Sequence, residues 1–148
     1  MSLKEQLFED MKTAMRAKDA SRLESVRLMR AAIQRKEVDE RIELDDAGVL
    51  AVIQKMVNQS QDSIQQFTDG ERPDLVEKEQ SGLDVLQEYL PEPLAESELD
   101  SMITDAIAKV GATEMRDMGK VMGMVKQAAD GRADMGVVSG KIKTLLST

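Results

Sequence analysis

Apolar side chains recur along most of this chain at three- and four-residue spacing, divided by short polar stretches rich in Asp, Gly and Pro. That period marks amphipathic helices. Leu3, Leu7, Met11, Ala14 and Met15 predict a first helix ending near Lys18. A turn at Asp19 leads to a second helix, residues 20–40, with Leu23, Val26, Met29 and Ile33 on one face. Asp45 or Asp46 fits the N-cap of a third helix over 47–68, whose buried side carries Leu50, Ile53, Val57, Ile64 and Phe67. The segment DGERPD at 69–74 breaks the pattern, and Pro73 suits the first turn of a fourth helix through Leu75, Glu79, Leu83, Leu86 and Leu90.

YLPEPLAESEL at 89–99 holds two of the three prolines, and proline neither continues a helix nor leaves its predecessor easily helical. A domain boundary is expected here, giving a helical N-terminal domain over 1–92 and a small three-helix domain over 93–148. In the second domain Leu99, Met102, Ile103, Ala106, Ile107 and Val110 predict a helix stopped by Gly111. Two short helices follow, over 118–129 ending at Gly131 and over 135–146. The fold class expected is all-α.

The last two helices share a frame. DMGKVMG at 117–123 and DMGVVSG at 134–140 both read Asp-Met-Gly-x-Val-x-Gly. Asp117 and Asp134 stand where an N-cap would accept from the first free N–H groups of each helix. Gly119 and Gly123, like Gly136 and Gly140, lie one turn apart on one face, which suggests close packing to offset the cost of glycine in a helix. The Gly-Lys pair at 119–120 is not a phosphate loop: Glu114 and Val121 stand where that motif needs Gly and Ser/Thr. A second reading survives, in which helix N-termini with Lys120 and Arg132 meet a nucleic-acid backbone.

Composition narrows the chemistry. The 148 residues contain neither Cys nor His, so thiolate nucleophiles, imidazole bases, disulfides and the common zinc sites are excluded. DERIELDD at 39–46 lacks the spacing of a calcium loop, and no nucleophile motif stands in a fitting context. No catalytic residue, cofactor or metal is expected. No apolar run has signal-peptide or membrane-span length, and the expectation is a cytoplasmic protein without a membrane partner.

The net charge is −8, which speaks against nucleic acid, but it is unevenly spread. Residues 12–36 carry +6, residues 37–115 carry −15 and residues 116–143 carry +3. Within the second helix Arg22, Arg27 and Arg30 form a ridge, with Arg30 inside the apolar arc. An acidic mate from the third or fourth helix is one explanation and an RNA-facing ridge another. With only three aromatic residues, stacking platforms for bases are nearly absent.

KDASRLESVRLMRAAI at 18–33, QDSIQQF at 61–67, RPDLVEKE at 72–79, LQEYLPEPL at 86–94, GATEMRDMGKVMG at 111–123 and GRAD at 131–134 resemble the YqeY family over essentially the whole chain. The resemblance implies a helical N-terminal domain joined to a three-helix domain similar to the C-terminal tail region of GatB, a subunit of the glutamine-dependent aspartyl/glutamyl-tRNA amidotransferase. That tail helps hold the tRNA, while the chemistry lies elsewhere in the enzyme. Departures occur at Asn58 and Ser60, where relatives usually have basic residues, at Ala95 in place of a Ser cap, and at Met135 in place of Gly. The resemblance and the +3 segment together imply a non-catalytic, tRNA-associated module. Lys120 and Arg132 are expected on phosphates, with Lys126, Lys141 and Lys143 adding positive field. The alternatives are a protein–protein adaptor, or a component associated with other amidotransferase subunits in carbon–nitrogen ligation with glutamine as amido donor.

Overall fold

The computed structural model describes residues 1–147. Among them the chain is all-α: α1 (Leu3–Arg16), α2 (Ala20–Glu40), α3 (Asp46–Asp69), α4 (Pro73–Gln87), α5 (Glu96–Val110), a 3-10 turn (Met115–Asp117), α6 (Met118–Ala129) and α7 (Met135–Leu146). Two compact units result, one from Met1 to Leu90 and one from Pro91 onward.

In the first unit the helix starts follow from capping chemistry. Ser2, Asp19 and Asp45 accept hydrogen bonds from the N–H groups of Glu5, Arg22 and Gly48, satisfying donors that a helix start leaves free, and Pro73 opens α4. Helix α1 ends at Arg16, two residues before the expected stop, because Lys18 turns left-handed at φ +56°. Helix α4 ends at Gln87, three residues before the expected Leu90, as the chain turns ahead of Pro91. Helix α2 packs on α1, α3 and α4, and α3 packs on α4. Leu7, Val26, Met29, Val49 and Ile53 are fully buried among them. The expected α3 stripe is shifted: Val49 and Val52 are buried while Leu50 is only half-buried.

The second unit is smaller, with α6 packed on both α5 and α7. Ile103, Val121, Val125, Val138 and Ile142 are fully buried in its core. Helix α5 begins at Glu96, three residues before its first apolar position, with Glu96 and Glu98 in the first turn and no side-chain cap from Ala95. Carboxylates there suit the positive end of the helix dipole. Gly111 adopts φ +71° and ends α5 as expected.

Candidate functional site

The arginine ridge of α2 resolves into three separate contacts. Arg22 forks onto both carboxylate oxygens of Glu88, at 2.8 and 2.7 Å, and that carboxylate holds the guanidinium pKa above its ordinary value. Arg30 finds no acid among the described residues. Its guanidinium donates to Met11 Sδ at 3.1 Å and lies 5.0 Å from the centre of the Phe8 ring, an attractive placement for a cation over a π face. Arg27 donates to Met15 Sδ at 3.6 Å. The acidic mate expected from the third or fourth helix is thus replaced, for Arg27 and Arg30, by sulfur and an aromatic ring on α1. A groove of about 490 Å³ runs between α1 and α2, and its Lys4 is held by Glu37 at 2.8 Å. Between α2, α3 and α4 lies a cleft of about 510 Å³ lined by Ser21, Ser25, Ser60, Ser63 and Glu79 among others; Ser60 donates to Glu79 there at 3.0 Å.

In the second unit the five expected basic contacts divide. Lys120, Lys126 and Lys143 are exposed. Lys126 and Lys143 stand in the last turns of α6 and α7, where a cation suits the helix dipole. Lys120 stands in the first turn of α6, where the dipole disfavours it, with the charge of Asp117 nearby. Lys141 turns toward α5 instead, pairing with Asp100 at 2.8 Å and Glu96 at 3.3 Å. Those bonds raise its pKa. Arg132 is half-buried and staples the segment before α5: its Nε donates to the Glu92 carbonyl at 2.9 Å and its own carbonyl accepts from Leu94 N–H at 2.9 Å. The structure therefore assigns Lys141 and the Nε of Arg132 to internal contacts.

The aspartates of the repeated frame also part company. Asp134 is extended, at φ −76° and ψ 117°, and accepts from Gly136 N–H at 2.9 Å as an N-cap should. Asp117 instead closes a capping box around the 3-10 turn, accepting from Thr113 N–H at 3.1 Å and Glu114 N–H at 3.2 Å. These bonds hold its carboxyl below the ordinary carboxylate range, and its side chain does not cap α6.

The glycine expectation requires correction. Gly119, Gly123 and Gly140 are exposed, and a Cβ built on any of them meets nothing within 4 Å. Gly136 is exposed too, its nearest neighbour being Asp134 Oδ1 at 3.3 Å from such a Cβ. The buried faces belong to Val121, Val125 and Ala129 on α6 and to Val138, Ile142 and Leu146 on α7. The glycine strips are thus on the solvent sides of both helices, beside Lys120, Lys126 and Lys143, and pack no neighbouring helix.

Among the described residues no cluster of three His, Cys, Asp or Glu side chains could hold a metal ion, and no helix is long and apolar enough to cross a membrane. The family model described as Yqey-like protein matches residues 4–146. The chain is 37% identical over 143 residues to "Altered inheritance of mitochondria protein 41, mitochondrial" of Pyrenophora tritici-repentis, covering 95% of this chain and 78% of that protein. It is 29% identical to the protein of the same name from Lachancea thermotolerans, covering 92% and 76%. With that of Saccharomyces cerevisiae it is 30% identical over 122 residues, covering 78% and 66%. These names overturn the expectation of a cytoplasmic protein. That expectation rested on the lack of an apolar leader, whereas mitochondrial targeting segments are amphipathic and Arg-rich, so the criterion is blind to them.

Proposed function

The chain belongs to the Yqey-like protein family, and from that premise we propose that it is a tRNA-associated accessory module, without catalysis of its own, which meets the phosphate backbone through its second unit. The observation that carries this reading is the solvent placement of the glycine strips together with Lys120, Lys126 and Lys143. A helix face without Cβ atoms lets a sugar-phosphate backbone approach the peptide groups, and lysines at its edge neutralise phosphates. Lys120 strengthens the reading, since a cation in the first turn of a helix opposes the dipole. Resemblance of the second unit to the GatB tail region supports tRNA as the polymer. Lys141 and Arg132 take a supporting part, holding α7 to α5 and fixing the entry to α5.

Binding of this kind weakens with salt, and three phosphate contacts correspond to a slope of about −2 to −3 in log K against log salt. The test is a fluorescence-anisotropy titration of labelled bulk tRNA with the full chain at two salt concentrations. Reversing Lys120, Lys126 and Lys143 to Glu should abolish the salt-sensitive binding. Absence of binding at low salt would overturn the proposal.

The net charge of −8, concentrated as −15 over residues 37–115, favours a protein–protein adaptor as the second reading. A partner captured by the full chain and retained after nuclease treatment would distinguish it from the first. If the module serves an amidotransferase, it should change the rate of tRNA-dependent amide formation only with the other subunits present.

A further inference from the structure

Helix α2 carries two stripes, and its own unit uses one of them. Val26, Met29 and Ile33 are buried, whereas Ser21, Glu24, Leu28, Ala31, Arg35 and Val38 are all exposed. The spacing of those six alternates between three and four, which is the a/d spacing of a heptad seam. Among the described residues neither Glu24 nor Arg35 enters an ion pair with another side chain. An outward seam holding one acid, one base and three apolar side chains has no role in the core of the unit.

We infer that this face is the seam of a symmetric dimer, in which α2 pairs antiparallel with α2 of a second copy of the chain. With the two-fold axis between residues 29 and 30, Leu28 meets the second copy's Ala31, Glu24 meets its Arg35 and Ser21 meets its Val38. The axis repeats each pairing. Every layer joins an a position to a d position, as antiparallel helices require, and small Ala31 at the centre lets the helices approach. The flanking Arg27 comes beside the second copy's Gln34.

Charge selects this arrangement from its rivals. Parallel pairing would set Glu24 on Glu24 and Arg35 on Arg35. Sliding the antiparallel register by one heptad in one direction sets Glu24 on Leu28 and carries Arg35 to Ala17, before the start of α2. Sliding it the other way carries Glu24 to Ile42, beyond the helix end. Only one register forms both ion pairs, and the patch is complementary to itself, which is the requirement of a two-fold interface.

Sedimentation of the full chain across a concentration series tests the dimer. The parent should associate reversibly. Glu24→Arg or Arg35→Glu alone should weaken association by roughly tenfold or more, because each sets like charges face to face at two places. Mixing the two single variants should restore association as a mixed dimer, and the double variant carrying both changes should dimerise like the parent. A parent that stays monomeric throughout would overturn the inference, as would association insensitive to the single changes or lack of recovery on mixing.

Discussion

The two copies of Asp-Met-Gly-x-Val-x-Gly make an internal controlled comparison. Both begin a helix at the Met, and both fully bury the Val, as Val121 and Val138. The aspartates nevertheless face in opposite directions along the chain. Asp117 reaches back to Thr113 and Glu114, and Asp134 reaches forward to Gly136. The difference lies in what precedes each copy. A 3-10 turn runs directly into α6, leaving Asp117 with a helical backbone, whereas Asp130 and Gly131 take positive φ and deliver Asp134 extended. A cap is thus specified by the incoming backbone as much as by the capping residue.

The largest effects should come from the glycines at matching places in the two helices. Gly123→Ala and Gly140→Ala remove a poor helix former from exposed helix interiors, so each should stabilise by about 1 kcal/mol and the pair by about 2 kcal/mol in denaturant unfolding. Gly136→Ala breaks the symmetry: its Cβ would press on Asp134 Oδ1 at 3.3 Å, and it should gain less than Gly140→Ala. A Gly123→Ala chain less stable than the parent would refute the solvent-facing assignment.

Removing the forward cap comes next. Asp134→Ala should cost about 1 kcal/mol and speed hydrogen exchange at the Gly136 amide, while Asp117→Ala should instead expose the amides of Thr113 and Glu114. Exchange changes at the same amides of both helices would erase the distinction. A smaller loss, about 1 kcal/mol or less, is expected from Arg132→Met, which keeps the stem but deletes the donor to the Glu92 carbonyl.

The subtlest test uses pH. The carboxyl of Asp117 titrates below its ordinary value of 3.8 in the folded chain because Thr113 and Glu114 donate to its charged form. Its stabilisation is therefore complete above that value and is lost as pH falls through the lower folded one. Asp117→Asn should flatten the acid limb of the stability profile below about pH 4. An unchanged acid limb would remove the carboxylate from the capping box.

Helix positions were legible because the three–four period survives in every element, whereas on α2 that period marks only the buried stripe. The ends were less so. The start of α5 was read from Leu99, its first apolar residue, whereas its acidic first turn answers to the dipole. The facing of the glycines had a signal that glycine spacing alone does not contain: Val121 and Val125 fix the buried side, and Gly119 and Gly123 then fall across the helix from them. Lys141 looked like a free cation until the fold brought Asp100, 41 residues away, within 2.8 Å. Arg30 looked like half of an ion pair, but burial against α1 offered Met11 and the ring of Phe8, a non-acidic solution that charge counting does not foresee.

Tyr89 gives the molecule an optical partition. Its hydroxyl donates to Asp10, and burial followed by that bond pushes the phenol above its ordinary pKa. It is the only tyrosine in a chain without tryptophan, and Phe8 and Phe67 lie in the same N-terminal unit. Tyrosine emission and near-ultraviolet dichroism therefore arise wholly from residues 1–90, while the far-ultraviolet signal sums the helices of both units. Heating the intact chain while following both signals separates the melting of the two units without a label: coincident curves mean one cooperative transition, and divergent curves give the midpoint of the aromatic-free unit by difference.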